Sequence, residues 1–399
     1  MLIFISISLL TASLVLAGAV AIVFVEVVAA IVRPGQTVVE TPVGGNPHRI
    51  AVLVPAHNES TGILPTLVDI KTQLSPGDQL LVVADNCTDD TAAVALEAGA
   101  NVTRRNDPVR KGKGYALAWG LNHLQLDPPD IVIVIDADCR LADGAIALLA
   151  EVCAGTGRPA QALDLMIAPK EASINFRVRE FAWRVKNWVR PLGLKAIGLP
   201  CQLMGTGMAF PWDLIRSVDL ASGSLVEDLK LGLELASINS PPLFCPSAVV
   251  ISEFPSSVEG VESQRLRWEQ GHIGMILTVI PRLVLQATTR RNFNLLILAL
   301  DAAVPPLTLL CTLTIGMVLV AGLAAILGTS SAALFVSGTT LAGFILSIVF
   351  SWMKFGRDIV RPGEIFSIIF YVFRKIPLYG TMMLRNSERH WIRTDRRKR

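Results

Sequence analysis

The chain has 399 residues, of which 52% are hydrophobic and only 17% charged, with a formal net charge of +3 and a mean hydropathy of +0.51. A wholly soluble protein is excluded by that apolar excess, and the length allows two or three structural units. The six cysteines (87, 139, 153, 201, 245 and 311) form no CxxC pair, which excludes a disulfide framework and a zinc site.

Met1–Val32 is predominantly apolar. It has no basic residue ahead of the run and is far longer than a signal-peptide core, so it reads as an uncleaved anchor. Residues 33–49, rich in Pro, Gly and Thr, read as a linker. A strand is expected over Ile50–Val54, ended by Pro55, then a helix over Leu64–Gln73 and a strand over Gln79–Ala84 that stops at Asp85. Thr88–Ala98 reads as a helix stopped by Gly99, and a basic loop from Arg104 to Lys113 leads into a helix over Tyr115–Leu124. Ile131–Ile135 is the next apolar strand and runs into Asp136-Ala137-Asp138. Strands apolar on both faces and alternating with helices indicate a parallel sheet covered on both sides. Ligands then bind beyond the carboxyl ends of the strands, where Pro55–Glu59, Asp85 and Asp136–Asp138 fall.

Towards the C-terminus, Leu295–Leu327 and Ala332–Met353 are each long enough for a hydrocarbon core that needs about 20 residues. Asp301 and Pro305-Pro306 place the start of the first of these near Pro305. Phe366–Leu384, interrupted by Arg374-Lys375 and Pro377, reads as interfacial or re-entrant. Arg33, Arg290-Arg291 and Lys354, Arg357 and Arg361 flank the apolar segments, while the connector Gly328–Ser331 is uncharged. The positive-inside rule therefore places the globular part and the basic tail Arg393–Arg399 inside and the connector outside. That tail reads as resting on anionic headgroups rather than on nucleic acid.

Four clusters carry chemistry. Carboxylates at Asp136 and Asp138 suit a magnesium or manganese ion that neutralises a diphosphate leaving group, though acids also cap strand-to-loop turns. Lys111-Gly112-Lys113-Gly114 offers a phosphate approach and a cation but is no Walker A sequence. Glu227-Asp228 opens the amphipathic segment Leu229–Ala236, where a helix dipole favours ionised acids. In Gln264-Arg265-Leu266-Arg267-Trp268, the residues Gln264, Arg267 and Trp268 share one helical face. Arg267 suits a bidentate grip on diphosphate and Trp268 a stack on a sugar ring; an interfacial helix with snorkelling Arg and Trp is the plainer reading of the same residues.

Taken in order, Asp85, Asp136-x-Asp138, Glu227-Asp228 and Gln264-x-x-Arg267-Trp268 resemble the membrane-bound family 2 glycosyltransferases of the cellulose, chitin and hyaluronan synthase type, over about Ile50 to Gly274. The resemblance implies an α/β GT-A fold, Rossmann-like, with a mixed, mainly parallel sheet and with transmembrane and interfacial helices. It implies an inverting transfer from a nucleotide-sugar, a UDP-sugar, with a divalent ion. By the resemblance Asp138 is the metal ligand, Asp136 its donor-side partner, and Pro55, His57, Glu59, Asp85, Lys113, Gln264 and Arg267 line the nucleotide-sugar site. Asp228 is the base with Glu227 beside it, and Trp268, Gly205 and Thr206 face the acceptor. The expected acceptor is a membrane-associated glycan or lipid-linked sugar in cell-surface or exopolysaccharide assembly, with polysaccharide-assembly partners and a bacterial-type inner-membrane location. A processive synthase remains an alternative, although these spans are fewer than polymer-exporting synthases generally carry, and so does a ceramide-type lipid glucosyltransferase, which shares the carboxylates and a similar final motif. The expected division is 1–32 anchor, 33–49 linker, 50–255 cytoplasmic catalytic domain, 256–292 interfacial helices, 293–353 two spans and 354–399 interfacial segment and tail.

Overall fold

In the computed structural model, residues 2–33, 48–169, 172–224, 226–254 and 258–364 are described, with no side chain of 258–265 or 267. Most of the linker, the segment Phe366–Leu384, the tail Arg393–Arg399 and the side chains of Gln264 and Arg267 therefore lie outside the described residues.

The chain begins with α1 (Leu2–Val32), then alternates β1 (Ile50–Ala56), α2 (Ile63–Lys71), β2 (Gln79–Asp85), α3 (Thr91–Glu97), β3 (Asn101–Arg105), α4 (Lys113–Leu124) and β4 (Ile131–Val134). Next come β5 (Arg140–Leu141), α5 (Ala145–Thr156), β6 (Ala160–Ile167) and α6 (Ile174–Arg184), which continues through a π turn (Val185–Val189) into α7 (Arg190–Ala196). β7 (Met208–Pro211), α8 (Trp212–Ile215), α9 (Glu227–Ser237) and β8 (Leu243–Glu253) complete the sheet. Five helices follow: α10 (Val258–Thr278), α11 (Ile280–Thr289), α12 (Phe293–Ala302), α13 (Leu307–Ile326) and α14 (Ala332–Phe355).

The eight strands lie in the order β3-β2-β1-β4-β7-β6-β8-β5. β1 to β4 run parallel, β7 is antiparallel to both β4 and β6, and β8 is parallel to β6. This is the mixed, mainly parallel sheet expected. Along β1, Val52 and Val54 pack with Ile63, Leu67 and Ile146 on one face, while Ala51 and Leu53 pack with Leu117, Leu121 and Phe210 on the other. Burial on both faces explains why these strands lack polar alternation, at about 1.5–3 kcal/mol per large side chain.

Two local expectations change. β1 passes through Pro55 to Ala56, because its pairing with β4 ends at Leu53 opposite Val134 and Pro55 forfeits no ladder bond on that side. The supposed basic loop starts as an edge strand: β3 pairs with β2 up to Arg105 opposite Asp85, its polar side chains suiting an edge.

α1, α13 and α14 have mean hydropathies of 2.8, 2.4 and 2.1 and the length to cross a membrane. The second apolar run is broken at Pro305-Pro306, which end α12 and let α13 start at Leu307, as the two prolines imply. α10 and α11 are bent by 44°. α7 ties α1 and α12 together. Arg190 Nε donates to Glu26 Oε2 of α1 at 2.6 Å, its Nη2 pairs with the Asp301 carboxylate of α12, and Gln202 Nε2 reaches Asp301 Oδ2 at 2.6 Å. Gly193 is required at this crossing, since a Cβ there would fall on the Glu26 carbonyl oxygen.

Candidate active site

The carboxyl ends of β1, β2 and β4 converge, and each carries a motif residue. Asp85 ends β2 and is buried; Arg105 Nη1 donates to its Oδ1 at 2.6 Å and Asn86 Nδ2 to the same oxygen at 2.9 Å. Arg105 also donates to the Arg110 carbonyl at 2.6 Å, so it fixes both Asp85 and the loop before α4. Sequence reasoning passed over Arg105; its signal is a basic residue in register with Asp85. His57 Nδ1 lies 2.7 Å from the Asp85 carbonyl, tying the first two loops together. The Glu59 carbonyl accepts from Ile63 N at 2.9 Å at the start of α2, while the Glu59 amide donates to Thr91 Oγ1 at 2.8 Å.

After β4 the chain turns at Asp136. Its amide donates to Thr206 Oγ1 at 3.1 Å, and its carboxylate pairs with Lys113 Nζ at the start of α4. Lys113 Nζ also donates to the Gly205 carbonyl at 2.8 Å. Gly205 has φ 93, a conformation open to glycine. A Cβ there would lie 3.5 Å from Asp228 Oδ2 and 3.7 Å from Lys113 Nζ, so the loop passes between the α9 carboxylate and the α4 cation. The structure places Thr206 differently from the acceptor contact expected. It is 4% exposed, its hydroxyl is spent on Asp136, and its carbonyl accepts from Gln161 Nε2 at 2.9 Å. Thr206 braces the Asp136 turn rather than lining the cavity.

Glu227 and Asp228 occupy the first turn of α9, where the helix dipole favours anions. Burial, with the charge of Asp228 beside it, pushes the Glu227 carboxyl up to about 7, and Lys113 opposes the rise. Burial alone would disfavour the Lys113 ammonium. The carboxylates of Asp136, Glu227 and Asp228 outweigh it and hold Lys113 above the ordinary lysine value. Lys113 therefore stays charged at the centre of three acids.

A cavity of about 400 Å³ connects these groups to the first turn of α13. Lys113, Asp136, Gly205, Glu227 and Asp228 form one end, and Trp268 joins them from α10. Val304–Thr308, the turn into α13, also line it. Pro55, His57, Glu59, Asp85 and Asp138 do not line this cavity; they stand on the strand-end side of the sheet. A side wall that sequence reasoning passed over comes from α6 and its π turn: Arg179, Trp183, Lys186 and Asn187. Basic and aromatic residues interleave through this segment, which was the available signal. Trp183 and Trp268 pack with ring centroids 5.2 Å apart.

A divalent ion fits the acids here only in part through protein ligands. Among the described residues no group of three His, Cys, Asp or Glu is arranged to hold one, and Asp136 is already paired with Lys113. One or two carboxylates completed by substrate phosphate oxygens is nonetheless a set that magnesium and manganese accept, and Asp138 beside Asp136 provides it.

The profile of the family described as Glycosyltransferase like family 2 matches residues 47–271. The chain belongs to that family. The match runs from the linker end to α10 and stops before α11–α14. Among relatives, glucosyl-3-phosphoglycerate synthase of Mycobacterium tuberculosis is 38% identical over 113 residues, 27% of this chain and 34% of that protein. The chain thus matches about a third of that relative's length. The probable glycosyltransferase YdaM of Bacillus subtilis is 25% identical over 265 residues, 62% of this chain and 60% of that one. Among solved structures, the mannosyltransferase PcManGT of Pyrobaculum calidifontis, in complex with GDP-Man and Mn2+, superposes with a TM-score of 0.54 at 18% identity, covering 87% of this chain and 99% of that one. At that identity the likeness is one of fold.

Proposed function

We propose that this family 2 chain is an inverting glycosyltransferase that moves a sugar from a UDP-sugar to a membrane-associated, lipid-linked acceptor in cell-surface or exopolysaccharide assembly, at a bacterial-type inner membrane with the catalytic domain in the cytoplasm. One observation carries the reading: a single cavity joins the acids of β4 and α9 to Trp268 and to the first turn of α13. A donor approaching from the strand ends and an acceptor approaching from the membrane would meet there.

In this reading Asp85 accepts from the nucleobase, with Arg105 holding its carboxylate ready, and Glu59, His57 and Pro55 shape the same pocket. Lys113 and Asp136 hold the donor sugar, and Gln264 and Arg267 act on the diphosphate. Asp138, with Asp136, would hold magnesium or manganese, which supplies charge neutralisation for the leaving diphosphate. Asp228 takes the acceptor hydroxyl proton, Glu227 tunes it, and Gly205 leaves the space between Asp228 and Lys113 open. Trp268 stacks on the acceptor sugar. The domain division at 50–255, 256–292 and 293–353 belongs to the same reading, amended by the α7 clamp on α1. The neighbour PcManGT, solved in complex with GDP-Man and Mn2+, supports a nucleotide-sugar donor and a divalent metal.

The test is to purify the protein in detergent and supply labelled nucleotide sugars with a lipid extract. A single-sugar lipid product, lost in chelator and restored by manganese or magnesium, is expected. Full activity after metal stripping would remove the metal role, and long polymer products would favour a processive synthase instead.

A further inference from the structure

Among the described residues, two of the four Lys and Arg side chains that line the cavity are already neutralised. Lys113 pairs with Asp136, and Arg190 is held by Glu26 and Asp301. Arg179 and Lys186 face the same cavity without an ion pair among the described residues. Arg179 Nε is buried with no hydrogen-bond partner among the described residues, a position in which a ligand can supply the acceptor. Lys186 Nζ lies 5.5 Å from the centroid of the Trp183 ring, its one described contact of this kind. Burial lowers the Lys186 pKa while the pull of Asp228 opposes that. Both residues sit on the α6 and π-turn segment, an insertion of the kind found at functional sites. Pro305-Pro306-Leu307-Thr308, where the apolar α13 begins, line the same cavity.

We propose that Arg179 and Lys186 seat the phosphate of the acceptor, which is therefore a membrane lipid whose apolar chain is joined to its hydroxyl-bearing headgroup through a phosphate or diphosphate. The inference rests on the glycosyl-transfer reading above and deepens it. The apolar chain lies along α13, the phosphate meets the two cations, and the next ring of the headgroup falls on Trp183 and Trp268. The acceptor O–H bond breaks with its proton passing to Asp228, and the oxygen bonds to the donor sugar carbon. The bond from that carbon to the nucleoside diphosphate breaks, and the diphosphate leaves with the electron pair. The lipid phosphate is unchanged, so Arg179 and Lys186 are binding residues. Neutral glycolipid acceptors have no use for these two cations.

The test uses the full chain in detergent, with farnesyl diphosphate as a phosphate-bearing apolar probe, farnesol as its neutral counterpart, and UDP as a donor-side probe. Farnesyl diphosphate is expected to bind at least about tenfold more tightly than farnesol, the scale of a charge-assisted contact. Lys186→Ala and Arg179→Ala should each weaken farnesyl diphosphate by about tenfold and leave UDP affinity unchanged, while Lys186→Arg retains most of the binding. Equal affinity for farnesol and farnesyl diphosphate overturns the proposal. A matching loss of UDP affinity in both alanine variants also overturns it, by assigning the cations to the donor diphosphate. Loss of UDP binding in the wild-type chain sinks the parent reading separately, since the farnesyl probes are read without a donor.

Discussion

Asp228 sits in the first turn of α9, across Gly205 from Lys113, and the proposed chemistry turns on its carboxylate. Asp228→Asn keeps the shape and removes the base, so transfer should fall by roughly 10²–10⁴ with nucleotide affinity nearly unchanged. Near wild-type transfer by that variant would move the base elsewhere. Its neighbour Glu227 gives a second, independent prediction. Its carboxyl is held up to about 7 by burial and by Asp228, against an unfolded value of about 4.3. Between those pH values the folded chain binds more protons than the unfolded one, so Glu227 makes stability fall as pH rises through that window. The contribution is fully present below the unfolded value and lost above about 7. Glu227→Gln should flatten the fall in a series of melting temperatures from pH 4.5 to 8. An unchanged slope would mean the carboxyl is ionised throughout.

At the scale of elements, α7 decides how the membrane helices meet the sheet. Arg190 reaches Glu26 on α1 and Asp301 on α12 in one buried cluster. Removing one member of such a cluster leaves charges buried without a partner, so Arg190→Ala should cost about 3–5 kcal/mol. Gly193 sets the closeness of the same crossing. Gly193→Ala would push a methyl onto the Glu26 backbone and should cost about 1–3 kcal/mol as overpacking. Both are checked by thermal unfolding in detergent beside proteolysis. Stability equal to wild type in Gly193→Ala would mean that α1 and α7 separate freely. Because Gln202 extends the cluster toward Gly205, Arg190→Ala should also lower transfer more than it lowers UDP affinity.

At the scale of the molecule, three helices among the described residues have the length and apolarity to cross a membrane, and the flanking charges predict an orientation that can be tested. Ser330, exposed between α13 and α14, should react as Ser330→Cys with an impermeant thiol reagent from outside intact cells. Glu97→Cys, exposed at the end of α3, should react only once the membrane is opened. Labelling of Ser330→Cys from the inner side alone would reverse the arrangement.

Much of this was legible in the residues alone, because it depends on local pattern. Runs such as Ile131–Val134 are apolar on both faces, so a covered parallel sheet follows without coordinates. Asp85, Asp136 and Glu227-Asp228 stand at element ends, where the chain order alone places polar chemistry. The prolines at 305 and 306 break a helix by removing donors, whatever packs nearby. What remained hidden depends on distance through space. Residues 20 positions apart place Arg105 on Asp85 through a parallel register. Thr206, read as an acceptor contact, proves to be a brace because β7 carries it behind the Asp136 turn. Arg179 and Lys186 look like ordinary basic residues of an amphipathic helix until a π turn and the start of α13 close a cavity around them. Periodicity reports which face of an element is buried; it carries no information about which remote element covers that face, and the tertiary structure alone decides that.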